Sequence, residues 1–206
     1  MVKVKICGIT DLRDALKAYE LGADLVGFIF FEKSPRKIEP DRARVIIEDL
    51  PKDLPKVGLF LNQDLDTVRS MAERCHLDIL QLHGEEDPDY CGRLRKDFKI
   101  IKSFKVKDPS SIKGVDRYQR VDYYLFDTYM KGIPGGTGKS FNWDILGGGS
   151  FKKTVFLAGG LTPKNVSAAI RKVAPYAVDV ASGVEKSPGK KDYGLLKEFI
   201  DNAKKT

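Results

Sequence analysis

Two residues able to move protons, Cys7 and Asp127, each stand where a short apolar run ends, in VKVKICGIT (2–10) and YYLFDT (123–128). A thiol with a pKa of about 8.5 is a few per cent thiolate at pH 7 and can serve as a base. An aspartate with a pKa of about 3.9 is only about one-thousandth protonated there, a deficit of roughly 4 kcal/mol. Acid function at Asp127 therefore requires burial or a neighbouring anion to hold the proton. A base and an acid that flank one ligand can run an isomerisation, one taking a proton and the other giving one. Lys5 shares the strand face of Cys7, about 6.5 Å below it by strand rise, where its charge favours the thiolate. Taken alone, Cys7 also reads as a small buried hydrophobe, and Asp127 as a turn-initiating acid.

Other residues suit anion binding. Arg36, in FEKSPRKI, has the planar fork that grips a carboxylate. LAGGLTP (157–163), with Gly160, and ASGVE (181–185), with Ser182 and Gly183, are glycine turns that bring backbone N–H groups close to a phosphate. Each also reads as an ordinary tight turn. His83, which ends DILQLH, and Asp179, in AVDVA, are further substrate-binding candidates, though His83 also reads as an ordinary satisfied polar residue. IPGGTGKS (133–140) is close to a phosphate-binding P-loop, but its first glycine is replaced by Ile133 and it does not follow its strand directly. It reads as a glycine-rich loop over the active face. The two histidines, His76 and His83, have no ligand spacing, so no metal is expected.

The elements that must position these residues alternate regularly. Eight apolar runs, at 2–7, 25–30, 57–61, 78–83, 99–104, 123–127, 154–159 and 177–181, read as strands. Between them, sets such as Leu12, Ala15, Leu16, Tyr19 and Val166, Ala169, Ile170, Val173 follow helix spacing. Pro40, Pro88 and the pair Thr162–Pro163 mark helix starts. The helical pattern is weakest over 107–118 and 141–150. Eight units in 206 residues average about 26 residues each, near the smallest practical strand–helix repeat. An open sheet of eight parallel strands needs more chain to cover its edges. The expectation is a single-domain (βα)8 TIM barrel over 1–206, with the candidate residues at the C-terminal strand ends where barrel active sites lie.

The net charge is +7, with Lys and Arg spread along the chain rather than in a block. That describes a solvated surface favourable to an anionic small molecule, with neither a nucleic-acid nor a membrane signature. Three cysteines without pairing or zinc-like spacing point to a reducing, cytoplasmic setting. Exposed apolar loop residues leave a homodimer open.

The ordered set VKICGIT (4–10), GFIFFEKSPR (27–36), LQLHGEE (80–86), FDT (126–128), GGTGKSFNW (135–143), AGGL (158–161), VDVASGVE (178–185) and PGKKD (188–192) resembles the phosphoribosylanthranilate isomerase family of tryptophan biosynthesis. The resemblance implies a (βα)8 barrel and a cofactor-free Amadori rearrangement of N-(5-phosphoribosyl)anthranilate to 1-(2-carboxyphenylamino)-1-deoxyribulose 5-phosphate. It implies Cys7 as the base and Asp127 as the acid. Arg36 would hold the anthranilate carboxylate, Asp179 would contact its nitrogen, and Gly160, Ser182 and Gly183 would help hold the phosphate. Asn142 stands where the family usually has Asp, and Ala181 where relatives often carry a polar residue. The neighbouring readings are another sugar-phosphate isomerase barrel or a basic nucleotide-binding protein. A histidine-pathway isomerase is expected to end strand one in Asp rather than Cys7.

Overall fold

The computed structural model describes residues 1–128, 142–147 and 151–206. The P-loop-like stretch 133–140 lies outside the described residues. Eight parallel strands close into a barrel in chain order. They are β1 (Lys3–Ile6), β2 (Leu25–Ile29), β3 (Lys56–Phe60), β4 (Ile79–Leu82), β5 (Lys99–Val106), β6 (Tyr123–Thr128), β7 (Thr154–Leu157) and β8 (Ala177–Val180). Around them lie α1 (Leu12–Glu20), α2 (Pro40–Glu48), α3 (Leu65–Arg74), α4 (Pro88–Leu94), α5 (Val166–Val173) and α6 (Tyr193–Lys204). The (βα)8 expectation therefore holds. Where the helical pattern was weakest, short 3₁₀ turns form at Pro109–Ile112, Val115–Arg117 and Trp143–Ile145. Asn142 caps the last of these, its side chain accepting the Asp144 N–H at 3.0 Å, as the aspartate of the usual motif can also do.

Local chemistry explains most helix starts. Asp11, Asp64, Asp87 and Asp192 each accept a first-turn backbone N–H. Pro40 and Pro88 open α2 and α4. The Thr162–Pro163 start is displaced: α5 begins at Val166. Asn165 accepts the Thr162 N–H and donates to the Gly160 carbonyl, which ties 160–165 into a loop before the helix begins.

Outside the barrel, strand residues such as Val4, Val26, Leu80, Ile100 and Phe126 pack under the helices in the main core. Inside, a separate apolar cluster of Leu25, Val57, Ile79, Ile101, Leu125, Phe156 and Ala177 takes one residue from each strand except β1. β1 contributes Lys5 instead, wholly buried. Gly27 on β2 makes this possible: a Cβ there would lie 2.9 Å from Cys7 Sγ and 3.2 Å from Lys5 Nζ.

The N-terminal rim is pinned by a repeated device. The aspartate before each of β2, β4 and β6 accepts a backbone N–H from the preceding strand: Asp24 from Val4, Asp78 from Lys56, Asp122 from Ile100, all at 2.8–2.9 Å. At the C-terminal rim, Lys102 on β5 donates to Gly84 O at 2.6 Å and to Glu86 Oε2 at 2.8 Å. Glu86 in turn accepts the Asn62 N–H at 2.8 Å, so one buried ion pair joins the loops after β3 and β4. Removing one member strands the other in the interior. Glu86→Ala is expected to lower stability by about 3–5 kcal/mol; urea unfolding checks this, and a loss under about 1 kcal/mol would show the pair to be incidental.

Candidate active site

A cavity of about 540 Å³ opens at the C-terminal mouth of the barrel. Cys7, Arg36, His83, Asp127, Gly160, Asp179, Ser182 and Gly183 all line it. The chain places them at the ends of β1, β4, β6 and β8 and in the loops after β2, β7 and β8. Its apolar wall includes Ile29, Phe31 and Leu59, and Gln81 reaches it from β4.

Lys5 and Asp179 are register partners on β1 and β8, and their side chains meet at 2.9 Å. Burial pulls Lys5 down, but the charges of Asp179 and Cys7 outweigh it and hold the ammonium above its ordinary value. The sequence pattern assigned Lys5 the task of favouring the Cys7 thiolate, and here the balance differs. Burial pushes the Cys7 thiol up; Lys5 opposes this, Asp179 reinforces it, and the thiol ends above its ordinary value.

A second charged group was not read from the sequence. After β8, a 3₁₀ turn (Ser182–Val184) leads into a two-stranded hairpin, β9 (Glu185–Ser187) and β10 (Lys190–Lys191). Lys191 turns inward and donates to Cys7 O at 2.6 Å, Ala181 O at 3.4 Å and Glu185 Oε1 at 2.9 Å. Ala181 thus takes part through its carbonyl. Burial raises Glu185, but the Arg36 hydrogen bond and the Lys191 charge outweigh it, so its carboxyl sits below its usual range. Burial lowers Lys191 despite Glu185. The signal was present in GVE and PGKKD, yet nothing in the spacing says that these two motifs fold onto one another.

Arg36 does grip a carboxylate, but that of Glu185. Its Nε lies 3.0 and 2.9 Å from the two oxygens and an Nη2 contact is 2.8 Å. The Nε–Nη2 edge is therefore occupied within the chain, while Arg36 is also one of the residues that line the cavity.

Asp127 is buried at the opposite side of the ring. Its Oδ1 accepts the Thr128 N–H at 2.7 Å, and its Oδ2 lies 3.3 Å from His83 Nε2. Gly159 must be glycine for this fit. Its φ is +87°, and a Cβ would stand 2.4 Å from Thr128 N and 2.7 Å from Asp127 Oδ1. Among the described residues no cluster of His, Cys, Asp or Glu could hold a metal ion.

Fold and cavity together define the class: a (βα)8 barrel with a cavity at its C-terminal mouth, lined by titratable side chains and glycine turns, where enzymes of this fold bind small molecules. The family model for N-(5'-phosphoribosyl)anthranilate (PRA) isomerase matches residues 4–202. An N-(5'-phosphoribosyl)anthranilate isomerase of Pelobacter propionicus is 50% identical over 206 residues, covering 100% of this chain and 97% of that one. One from Geobacter sp. strain M21 is 51% identical over 205 residues, covering 100% and 99%. The crystal structure of phosphoribosyl anthranilate isomerase from Thermotoga maritima superposes with a TM-score of 0.94 at 42% identity, each chain fully covered. Another solved isomerase, at 39% identity, TM-score 0.88 and full coverage of both chains, holds reduced 1-(o-carboxyphenylamino)-1-deoxyribulose 5-phosphate. The chain belongs to the phosphoribosylanthranilate isomerase family.

The upward push on Cys7 is measurable. Alkylation of Cys7 by iodoacetamide, followed by peptide mass spectrometry, is expected to rise with pH to a midpoint above that of free cysteine. Lys5→Met removes the larger of the two opposing charges, Lys191 being the other, and is expected to move the midpoint higher. A midpoint at or below free cysteine would overturn the assignment.

Proposed function

We propose that this chain converts N-(5-phosphoribosyl)anthranilate to 1-(2-carboxyphenylamino)-1-deoxyribulose 5-phosphate with Cys7 as general base and Asp127 as general acid. The observation that carries this reading is that a thiol from β1 and a carboxyl from β6 line one cavity, with the glycine turns after β7 and β8 on its rim.

The chemistry balances within those two groups. Asp127 gives its proton to the furanose ring oxygen as the bond from that oxygen to the anomeric carbon breaks. The bonding pair stays on oxygen, and the anthranilate nitrogen forms the Schiff base. The Cys7 thiolate then takes the C2 proton, and the enolamine tautomerises to the aminoketose. The enzyme is left with a thiol and a carboxylate, and one proton passed from the first to the second resets it.

Charge at Cys7 supports the base role despite burial. Lys5, Arg36 and Lys191 are cations, and Asp179 and Glu185 are their carboxylate partners. A thiolate is the third anion that would neutralise this group. Gly160, Ser182 and Gly183 hold the phosphate through backbone N–H groups, Arg36 meets the anthranilate carboxylate with its outer face, and Asp179 contacts the anthranilate nitrogen. His83 takes part through Asp127. We assign the protein to the cytoplasm, since its three cysteines are unpaired; no described helix is long and apolar enough to cross a membrane. A homodimer is proposed because a Thermotoga maritima relative is described as dimeric, and light scattering tests it.

The decisive assay follows fluorescence loss as phosphoribosylanthranilate, generated in place, is consumed. Cys7→Ala and Asp127→Asn are each expected to reduce turnover by about 100-fold or more with the fold intact. Near-normal turnover in either variant removes that residue from the mechanism. Arg36→Ala is expected to raise KM more than it lowers kcat, and unchanged constants would reject its carboxylate role.

A further inference from the structure

Arg36 reaches the cavity wall from the loop after β2, and Glu185 takes one edge of its guanidinium. Nε lies 3.0 and 2.9 Å from the two carboxylate oxygens, and Nη2 lies 2.8 Å from Oε2. Glu185 is itself fixed by the hairpin that follows β8. Its Oε1 accepts from Lys191 Nζ at 2.9 Å and from the Gly189 N–H at 3.4 Å. The Glu185 side chain is 3% exposed and does not line the cavity, whereas Arg36 does. The stem of Arg36 is packed as closely: a Cβ on Gly8 would stand 2.8 Å from its Cδ.

A guanidinium carries five N–H groups in one plane. Glu185 engages Nε and one side of Nη2, and among the described residues Nη1 has no hydrogen-bond partner. What remains is the end of the fork. There, one N–H of Nη1 and one of Nη2 run parallel, spaced for the two oxygens of a carboxylate. A mobile arginine loses rotamer freedom when it grips a ligand, and the Glu185 contact removes that freedom on folding instead. Glu185 does not cancel the arginine charge outright, because Lys191 shares its carboxylate.

We infer that Glu185 is a positioning residue for substrate recognition: it fixes the plane of the Arg36 guanidinium so that the free end of the fork meets a planar carboxylate in the cavity. The inference rests on Arg36 meeting the anthranilate carboxylate. Glu185 touches no substrate atom and acts only through Arg36. The consequence is selectivity for an anthranilate ring over an aniline ring that lacks the carboxylate.

Titration calorimetry with two probes tests this. One is reduced 1-(o-carboxyphenylamino)-1-deoxyribulose 5-phosphate, which a solved relative holds; the other is the same molecule without its ring carboxyl group. The wild type is expected to bind the first about tenfold or more tightly than the second. In Glu185→Gln that advantage is expected to fall by about threefold or more, because one amide oxygen cannot serve both Arg36 and Lys191. Removing a negative charge would by itself strengthen anion binding and raise the advantage, and a merely loosened fold would weaken both probes alike. A smaller fall, no change or a rise overturns the inference. If Glu185→Gln does not fold, nitrogen-15 NMR of the ligand-free wild type decides. Arg36, assigned by the signals missing in Arg36→Ala, is expected to show separate Nη1 and Nη2 resonances, since rotation about Nε–Cζ exchanges them; one averaged signal overturns the inference. No advantage in the wild type, or the full advantage kept in Arg36→Ala, strikes the carboxylate role of Arg36 itself. An advantage lost in Arg36→Ala but kept in Glu185→Gln strikes the role of Glu185 alone.

Discussion

The ion pair between Lys5 and Asp179 is the constraint around which the mouth of the barrel is arranged. It lies inside the barrel, where the other strands place Leu, Val, Ile, Phe and Ala. A charge in that position costs several kcal/mol in lost hydration, so neither residue is tolerable without the other. Their positions match in register across the seam where the first and last strands meet. The pair therefore sits on the closure of the barrel and directly beneath the thiol. Gly27 on the neighbouring strand leaves the volume that the long lysine side chain needs.

A second layer of charge stands on the first. Lys191 reaches the carbonyls of Cys7 and Ala181 and so clasps the ends of β1 and β8 above the Lys5–Asp179 pair. Glu185 joins that clasp to Arg36 from the loop after β2. The result is a cationic excess around one buried thiol. Burial and the lysine charges act on Cys7 in opposite senses, and burial prevails. The opposite side of the ring has another character: Asp127 has a backbone N–H, an imidazole and a glycine turn around it, and no Lys or Arg pairs with it among the described residues. The proposed base and the proposed acid are separated by electrostatic environment as well as by distance along the chain.

Much of this was legible in advance. All eight strands fall within a residue or two of the apolar runs, since a parallel barrel strand is buried on both faces and reads as a continuous apolar stretch. The eight candidate residues share one cavity because strand ends converge in this fold. The illegible parts are the long-range polar contacts. The start of α5 moved because Asn165 bonds backward into the loop. Arg36 was read as free for a ligand, whereas a carboxylate 149 residues away takes its Nε edge.

Alternation of apolar runs with helical stripes, and a thiol and a carboxyl at run ends, were determined by the sequence by itself, because both are local: side-chain period and turn chemistry depend on near neighbours. Which charges meet was decided only by the tertiary structure. Lys5 and Asp179 are 174 residues apart, and Lys191 and Cys7 are 184 apart. Whether a buried lysine strengthens a thiolate or spends its charge on a carboxylate depends on distances of a few ångströms, and closure of the barrel sets those distances.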